Sequence, residues 1–270
     1  MQSDKNLMEV NNGCICCSLN DNFFEILKNL HDRKDEWDEL LIEATGIADP
    51  AGVAAPFFNQ PVIKNNFHLE RIICLVDAGQ IEEQLQKEEI AAKQIAYSDV
   101  ILLNKADTVD TPSLEKLKAR LQADNPLATI FSGQKGHYPL EAIMAENKDV
   151  ISRETESHRH TEGHESHTHD HGDMNALTFT FEEPFDIDLL TNTLTAFLMF
   201  QAKDVYRIKG VVYDPDYADR FVIQSVMNSV SVEAGAPWKD GEDQKSRIVL
   251  IGKGLKTKGH ERMLRKGLKK

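Results

Sequence analysis

Three short segments of this 270-residue sequence carry side chains whose types and spacing suit chemistry. The first is Gly13-Cys14-Ile15-Cys16-Cys17. Thiolates are preferred ligands for zinc and copper(I), and a glycine lead-in lets the backbone curl so that neighbouring sulfurs converge. Three sulfurs leave one tetrahedral position unfilled by cysteine. A closed four-ligand site retains its ion, whereas a three-sulfur site can pass it on. Two other uses stand beside metal binding: Cys14 and Cys17 are spaced as a Cys-x-x-Cys redox pair, or the residues simply pack.

The second segment is Asn104-Lys105-Ala106-Asp107, directly after the apolar run 100–103. A carboxylate leaving a buried strand can accept hydrogen bonds from both N1–H and the 2-amino group of guanine. Adenine offers neither in that geometry, so discrimination between the bases would be large. Asn104 and Lys105 would brace the loop and cover the base. A polar turn after a strand explains the pattern less well, because carboxyl ends of strands are where α/β folds bind ligands. The third segment is Glu43-Ala44-Thr45-Gly46. The Glu43 carboxylate could order a magnesium-bound or attacking water, and Gly46 could let a backbone N–H approach a terminal phosphate. Taken alone, the segment is better explained as a strand-to-loop turn ended by Gly46 and continued by Asp49-Pro50.

These segments need elements to position them. Residues 40–45 (Leu-Leu-Ile-Glu-Ala-Thr), 71–77 (Arg-Ile-Ile-Cys-Leu-Val-Asp) and 100–104 (Val-Ile-Leu-Leu-Asn) are short apolar runs, as expected of strands buried on both faces of a parallel sheet. Helical spacing of apolar residues marks 21–34, 80–97 and 113–123. Such alternation predicts an α/β layered domain over 1–150. Residues 151–175 hold His158, His160, His164, His167, His169 and His171 with almost no core former. That composition predicts a flexible linker whose imidazoles capture metal weakly. Residues 176–270 predict a smaller α+β domain: an alternating strand at 176–181, a helix near 186–200, strands near 204–213, 220–233 and 246–252, and a docked basic terminal helix.

Composition limits the partners. Lys plus Arg number 31 against 44 Asp plus Glu, a net charge of −13, which argues against nucleic acid or an anionic membrane as a general partner. No apolar stretch approaches the roughly 20 residues of a bilayer span. The N-terminus lacks a secretion-type apolar run, and three of the four cysteines crowd into 14–17, a poor disulfide framework. A cytoplasmic chain is expected.

Taken in order, the Gly-Cys-Ile-Cys-Cys segment, Glu-Ala-Thr-Gly with Ala48-Asp49-Pro50, Asn-Lys-Ala-Asp, the His-rich linker and the small C-terminal unit resemble the CobW family of P-loop GTPases. That group includes zinc-transferring metallochaperones. The resemblance implies a mostly parallel GTPase-type sheet followed by an α+β domain of the CobW C-terminal kind. It implies zinc on Cys14, Cys16 and Cys17, a catalytic phosphate-sensing switch containing Glu43 and Gly46, and guanine bound by Asn104, Lys105 and Asp107. GTP with Mg2+ would gate delivery of Zn2+ to a client metalloprotein. The family also has a first strand and a Gly-x-x-x-x-Gly-Lys-[Ser/Thr] loop, and neither occurs here: Gly252-Lys253 is followed by Gly254. The sheet is therefore expected to lack its first strand and phosphate loop, leaving an apolar edge or face open to self-association. That departure weakens the expectation of GTP hydrolysis by this polypeptide alone. The alternatives are a non-hydrolysing zinc-buffering protein and a thiol oxidoreductase.

Overall fold

A computed structural model describes residues 21–144, 174–200, 203–239 and 241–269. The first unit contains helices α1 (Asp21–Asp32), α2 (Pro50–Asn59), α3 (Pro61–Lys64), α4 (Ile81–Lys87), α5 (Glu89–Tyr97), α6 (Thr111–Asp124) and α7 (Leu140–Met144). Its strands are β1 (Ile73–Asp77), β2 (Val100–Asn104) and β3 (Thr129–Ser132). They form a parallel sheet in the order β1-β2-β3. Ile101 and Leu103 of the middle strand are fully buried, packed with Val76 against Ile95 of α5 and Leu117 and Leu121 of α6. On the opposite face of the edge strand, Ile73 and Leu75 are 39% and 64% exposed. No helix among the described residues is long and apolar enough to cross a membrane.

Two sequence expectations change. Residues 40–45 form no strand; among the described residues β1 pairs with β2 alone. Leu40 and Ile42 pack against the core of α1 and α2 while Leu41 is 79% exposed. An apolar run reports burial, and a ladder requires a neighbour with free backbone groups as well. The helical stretch 80–97 is two helices, because Glu88 between them is extended (φ −125°, ψ 110°).

The second unit holds β4 (Met174–Phe181), α8 (Ile187–Phe200), β5 (Val205–Val212), β6 (Asp219–Val226), β7 (Ser229–Pro237), β8 (Ser246–Lys253) and α9 (Thr257–Leu264). The strands form an antiparallel sheet ordered β4-β8-β5-β6-β7. The expected single strand at 220–233 is the β6–β7 hairpin, turning at Met227, whose φ is 53°. Positive φ in a two-residue loop matches the twist of hairpin strands. Gly252 is needed where β8 passes β5: a Cβ there would lie 2.1 Å from the Asp204 carbonyl oxygen.

The period-two pattern of β8 shows how the units join. Ile248 and Leu250 face α8 and α9, within a core that includes Phe185, Leu190 and Leu264. Val249 and Ile251 face the other way, into a core shared with Phe57 and Phe58 of α2. Helices of the first unit, α2 and α5 among them, thus cover the second face of the second sheet. Beside this shared core, Asp99 at the entry to β2 accepts hydrogen bonds from Arg207 Nη2 (2.7 Å), Lys209 Nζ (2.9 Å) and the Ile72 backbone N–H (2.9 Å). Arg207 also donates to the Tyr97 carbonyl. Burial by itself would raise the Asp99 pKa, but Arg207 and then Lys209 outweigh it and hold the carboxyl at about 2.

That cluster sets a stability prediction. Asp99→Asn keeps the shape and removes the charge facing two buried cations, and should cost about 3–5 kcal/mol in urea unfolding at neutral pH. A carboxyl with a depressed folded pKa stabilises above its unfolded pKa and loses that contribution as pH falls. Between about pH 4 and pH 2, the urea midpoint should therefore fall more steeply in the wild type than in Asp99→Asn.

Candidate functional site

Three loops meet at the carboxyl edge of the parallel sheet. β1 ends at Asp77, in register with Asn104 at the end of β2, and β3 ends at Ser132 beside them. Backbone hydrogen bonds continue past the strands: Ala78 N–H to the Asn104 carbonyl (3.0 Å), Gly133 N–H to the Leu103 carbonyl (2.8 Å) and Ala106 N–H to the Gly133 carbonyl (3.2 Å). The loops therefore form one platform.

Lys105 sits in the left-handed region, with φ 55° and ψ 32°, a conformation that costs a non-glycine residue about 1–2 kcal/mol. The turn is closed by Thr108, whose N–H and Oγ1 both donate to the Lys105 carbonyl, at 3.0 and 2.7 Å. It turns the Lys105 side chain back across the platform, where Nζ lies 2.7 Å from Asp77 Oδ2. Hydrogen bonding from Lys105 holds the Asp77 carboxyl below the usual carboxylate range, and the Gly79 N–H assists.

Asp107 is exposed. With its amide oriented to donate, Gln134 places Nε2 3.1 Å from Asp107 Oδ2 and 3.3 Å from Oδ1. The amide thus lies within reach of both carboxylate oxygens and would compete with a two-donor ligand edge for them. Deeper in, Asn104 Oδ1, Ser132 Oγ and Tyr138 OH are buried with no hydrogen-bond partner among the described residues. A buried unpaired polar atom costs about 1–3 kcal/mol, and three at one edge of the sheet suit a polar ligand that would pair with them. Gly133 permits the close approach of these loops: a Cβ would lie 2.5 Å from the Tyr138 ring and 2.6 Å from the His137 carbonyl oxygen.

Asn104, Lys105 and Asp107 are therefore brought together, with Asp77, Ser132 and Gln134 added to them. Sequence reasoning missed these three, although Asp77 and Ser132 each end an apolar run in the manner of Asn104. Glu43 and Gly46 occupy a separate exposed loop. No hydrogen bond or ion pair among the described residues joins that loop to the Asn104–Asp107 turn. Its carbonyls at Gly46 and Ala48 both accept from Gln94 Nε2 (3.1 Å each), and a Cβ on Gly46 would meet nothing within 4 Å.

The thiolate trio Cys14, Cys16 and Cys17 lies outside the described residues, as do His158, His160, His164, His167, His169 and His171. Among the described residues no group of three His, Cys, Asp or Glu side chains could hold a metal ion. Burial pushes the remaining thiol, Cys74, up to about 11, so it stays protonated and is a poor ligand.

Comparison with known proteins adds to this geometry. A family model described as the CobW/HypB/UreG nucleotide-binding domain matches residues 1–132, and one described as the cobalamin synthesis protein cobW C-terminal domain matches residues 174–269. The zinc chaperone YjiA of Escherichia coli (strain K12) is 30% identical over 250 residues, covering 89% of this chain and 76% of that protein. The chain belongs to the CobW family. The zinc chaperone CobW of Pseudomonas aeruginosa is 28% identical over 290 residues, covering 97% of this chain and 75% of that protein. The crystal structure of Zn(II)-bound YjiA GTPase from E. coli matches with a TM-score of 0.71 at 28% identity, covering 97% of this chain and 79% of that one. The CobW assignment accords with both architectures seen here, a parallel sheet layered with helices followed by an antiparallel sheet.

One residue of this CobW-family platform has a direct structural test. Gly133→Ala forces the Tyr138 ring or the 133–138 loop to move, which should cost about 1–3 kcal/mol. The measurement is the shift in the thermal or urea unfolding midpoint against wild type.

Proposed function

We propose that this chain is a guanine-nucleotide-responsive zinc chaperone that supplies a client metalloprotein. The observation that carries the nucleotide half is the Asp107 carboxylate, accessible at the sheet's carboxyl edge beside the buried, unpartnered Asn104 Oδ1. Asp107 accepts the two donors of the guanine edge, Asn104 holds the loop and contributes its free acceptor, and the Lys105 stem covers the base. The Asp77 ion pair and the Thr108 turn keep Lys105 in place for that role. Gln134 occupies Asp107 in the absence of ligand and gives way to the base.

Zinc is the cargo. Cys14, Cys16 and Cys17 supply three thiolates, a donor set that suits zinc and leaves one position for exchange. The imidazoles at His158, His160, His164, His167, His169 and His171 offer a weaker reservoir close in sequence to the second unit. Support for zinc also comes from relatives named zinc chaperones and from the Zn(II)-bound YjiA structure. GTP with Mg2+, when bound, supplies phosphoryl-transfer chemistry. Glu43 and Gly46 are the residues of this chain assigned to sensing its terminal phosphate. These 270 residues contain no Gly-x-x-x-x-Gly-Lys-[Ser/Thr] segment, and no residue is assigned to the other phosphates.

Two measurements check the two halves separately. Equilibrium dialysis under reducing conditions should find about one tightly held zinc per chain, lost when Cys14, Cys16 and Cys17 become Ser. Unchanged zinc content in that variant removes the cargo assignment. Calorimetry should find GDP bound at least about tenfold more tightly than ADP, with the preference abolished by Asp107→Ala. Gln134→Ala, which removes the internal competitor for Asp107, should raise GDP affinity. Zinc binding with no preference for guanine would leave a zinc-buffering protein.

A further inference from the structure

The loop 43–49, exposed over 43–47, is held from two sides, and both sides belong to the interface between the two units. On one side the loop runs directly into α2. Asp49 caps that helix, its Oδ1 accepting from the Ala51 N–H at 2.9 Å, and Pro50 occupies the first turn. Ala51, Ala54, Phe57 and Phe58 of α2 are buried in the core shared with Val249 and Ile251 of the second sheet. Any change in the loop's setting must therefore push or pull on a helix embedded in the second unit.

On the other side stands α5. Gln94 donates one amide group to two loop carbonyls, Gly46 and Ala48, both at 3.1 Å. Its neighbour Lys93 places Nζ 3.5 Å from Asp49 Oδ2 and 3.5 Å from Glu89 Oε1. The same ammonium lies 5.9 Å from the centroid of the Tyr206 ring in β5, and the Tyr206 hydroxyl donates to Glu89 Oε1 at 3.4 Å. One turn further on, the Tyr97 carbonyl accepts from Arg207 of β5, and the Tyr97 hydroxyl accepts from the Met227 N–H at the β6–β7 turn (3.4 Å). A cavity of about 460 Å³ opens between Asp49, Lys93, Tyr206 and Met227, leaving space for the groups on either side to shift.

We propose that Gln94 and Lys93 are positioning residues that set the loop 43–49 and tie its conformation to β5 and the β6–β7 turn of the second sheet. Gln94 acts through the backbone: by holding the carbonyls of Gly46 and Ala48 it fixes the direction of the intervening N–H groups. Lys93 joins the loop's last carboxylate to Glu89 and Tyr206. Given the assignment of Glu43 and Gly46 to phosphate sensing, a change of nucleotide state is read as a displacement across the interface. By linkage, a partner bound to the second unit would tune the loop's preference for the triphosphate by the same factor. The linkage itself stands on geometry, and only its nucleotide consequence rests on the proposed function.

The test uses the full chain and two matched variants. Gln94→Ala removes two hydrogen bonds to loop carbonyls. Gln122→Ala removes two of the same kind, from Nε2 to the Asn125 and Ala128 carbonyls at 3.2 Å each, neither of them in the loop. Hydrogen exchange without nucleotide should quicken about tenfold at residues 46–52 in Gln94→Ala, with a smaller rise in 205–212 and 226–229. In Gln122→Ala it should leave all three segments unchanged. A rise confined to 46–49, or the same pattern in both variants, overturns the linkage. With nucleotide, Gln94→Ala should lower the affinity for a non-hydrolysable GTP analogue about tenfold while GDP stays within about twofold. Equal losses for both nucleotides overturn the positioning role toward the phosphate. A wild-type chain that binds neither nucleotide removes the guanine reading alone, and the exchange result then decides the linkage.

Discussion

A sheet with apolar side chains on both faces needs both faces covered, and this requirement organises the chain. In the antiparallel sheet α8 and α9 cover one face, where Ile248 and Leu250 of β8 meet Leu190 and Leu264. Val249 and Ile251 on the other face belong to a core that also holds Phe57 and Phe58 of α2, a helix of the first unit. At roughly 25 cal/mol per Å² of apolar area, interlocked aromatic side chains of this size dominate the energetics of such a joint. The two units therefore share a core, and α2, which follows the loop at Glu43, is part of it.

Because the core is shared, polar groups at its margin are buried as well and must be paired. Asp99, Arg207 and Lys209 meet that demand with short bonds. Such a cluster adds little net stability over apolar packing, yet it strongly penalises any arrangement that separates its members. Its members come from both units, Asp99 from the first and Arg207 and Lys209 from the second. Asn125 does similar work within the first unit, where its amide donates to the Ile95 and Ser98 carbonyls (2.7 and 2.8 Å) and its Oδ1 accepts from the Leu127 N–H (3.0 Å).

The carboxyl edge of the parallel sheet departs from this rule of pairing. Asn104 Oδ1, Ser132 Oγ and Tyr138 OH are buried and unmatched among the described residues, Lys105 holds a left-handed conformation, and the nearby Asp107 is met by the side chain of an exposed loop residue, Gln134. Unmatched polar atoms, strain and a displaceable partner gather at one edge. They gather at the edge where the guanine base is proposed to bind.

Much of this was legible from residue type and spacing. The runs at 71–77 and 100–104 are β1 and β2 because continuous apolar residues of that length suit a doubly covered parallel strand. The turn at Asn104-Lys105-Ala106-Asp107 lies where a strand end was expected. The period-two stretch 176–181 and the amphipathic basic tail likewise became β4 and α9. What spacing along one chain cannot encode is which distant groups meet. Leu40 to Ile42 has the composition of a strand and finds no ladder partner among the described residues. Asp77 and Gln134 reach the Asn104 turn only because parallel pairing aligns three strand ends. The grip of Gln94 on Gly46 and Ala48 spans residues 48 and 46 positions apart, a distance bridged by packing α5 beside the loop. Local chemistry and periodicity were thus determined by the sequence alone. The tertiary structure decided the pairing of remote polar groups, because hydrogen bonds and ion pairs form between neighbours in space whatever their separation along the chain.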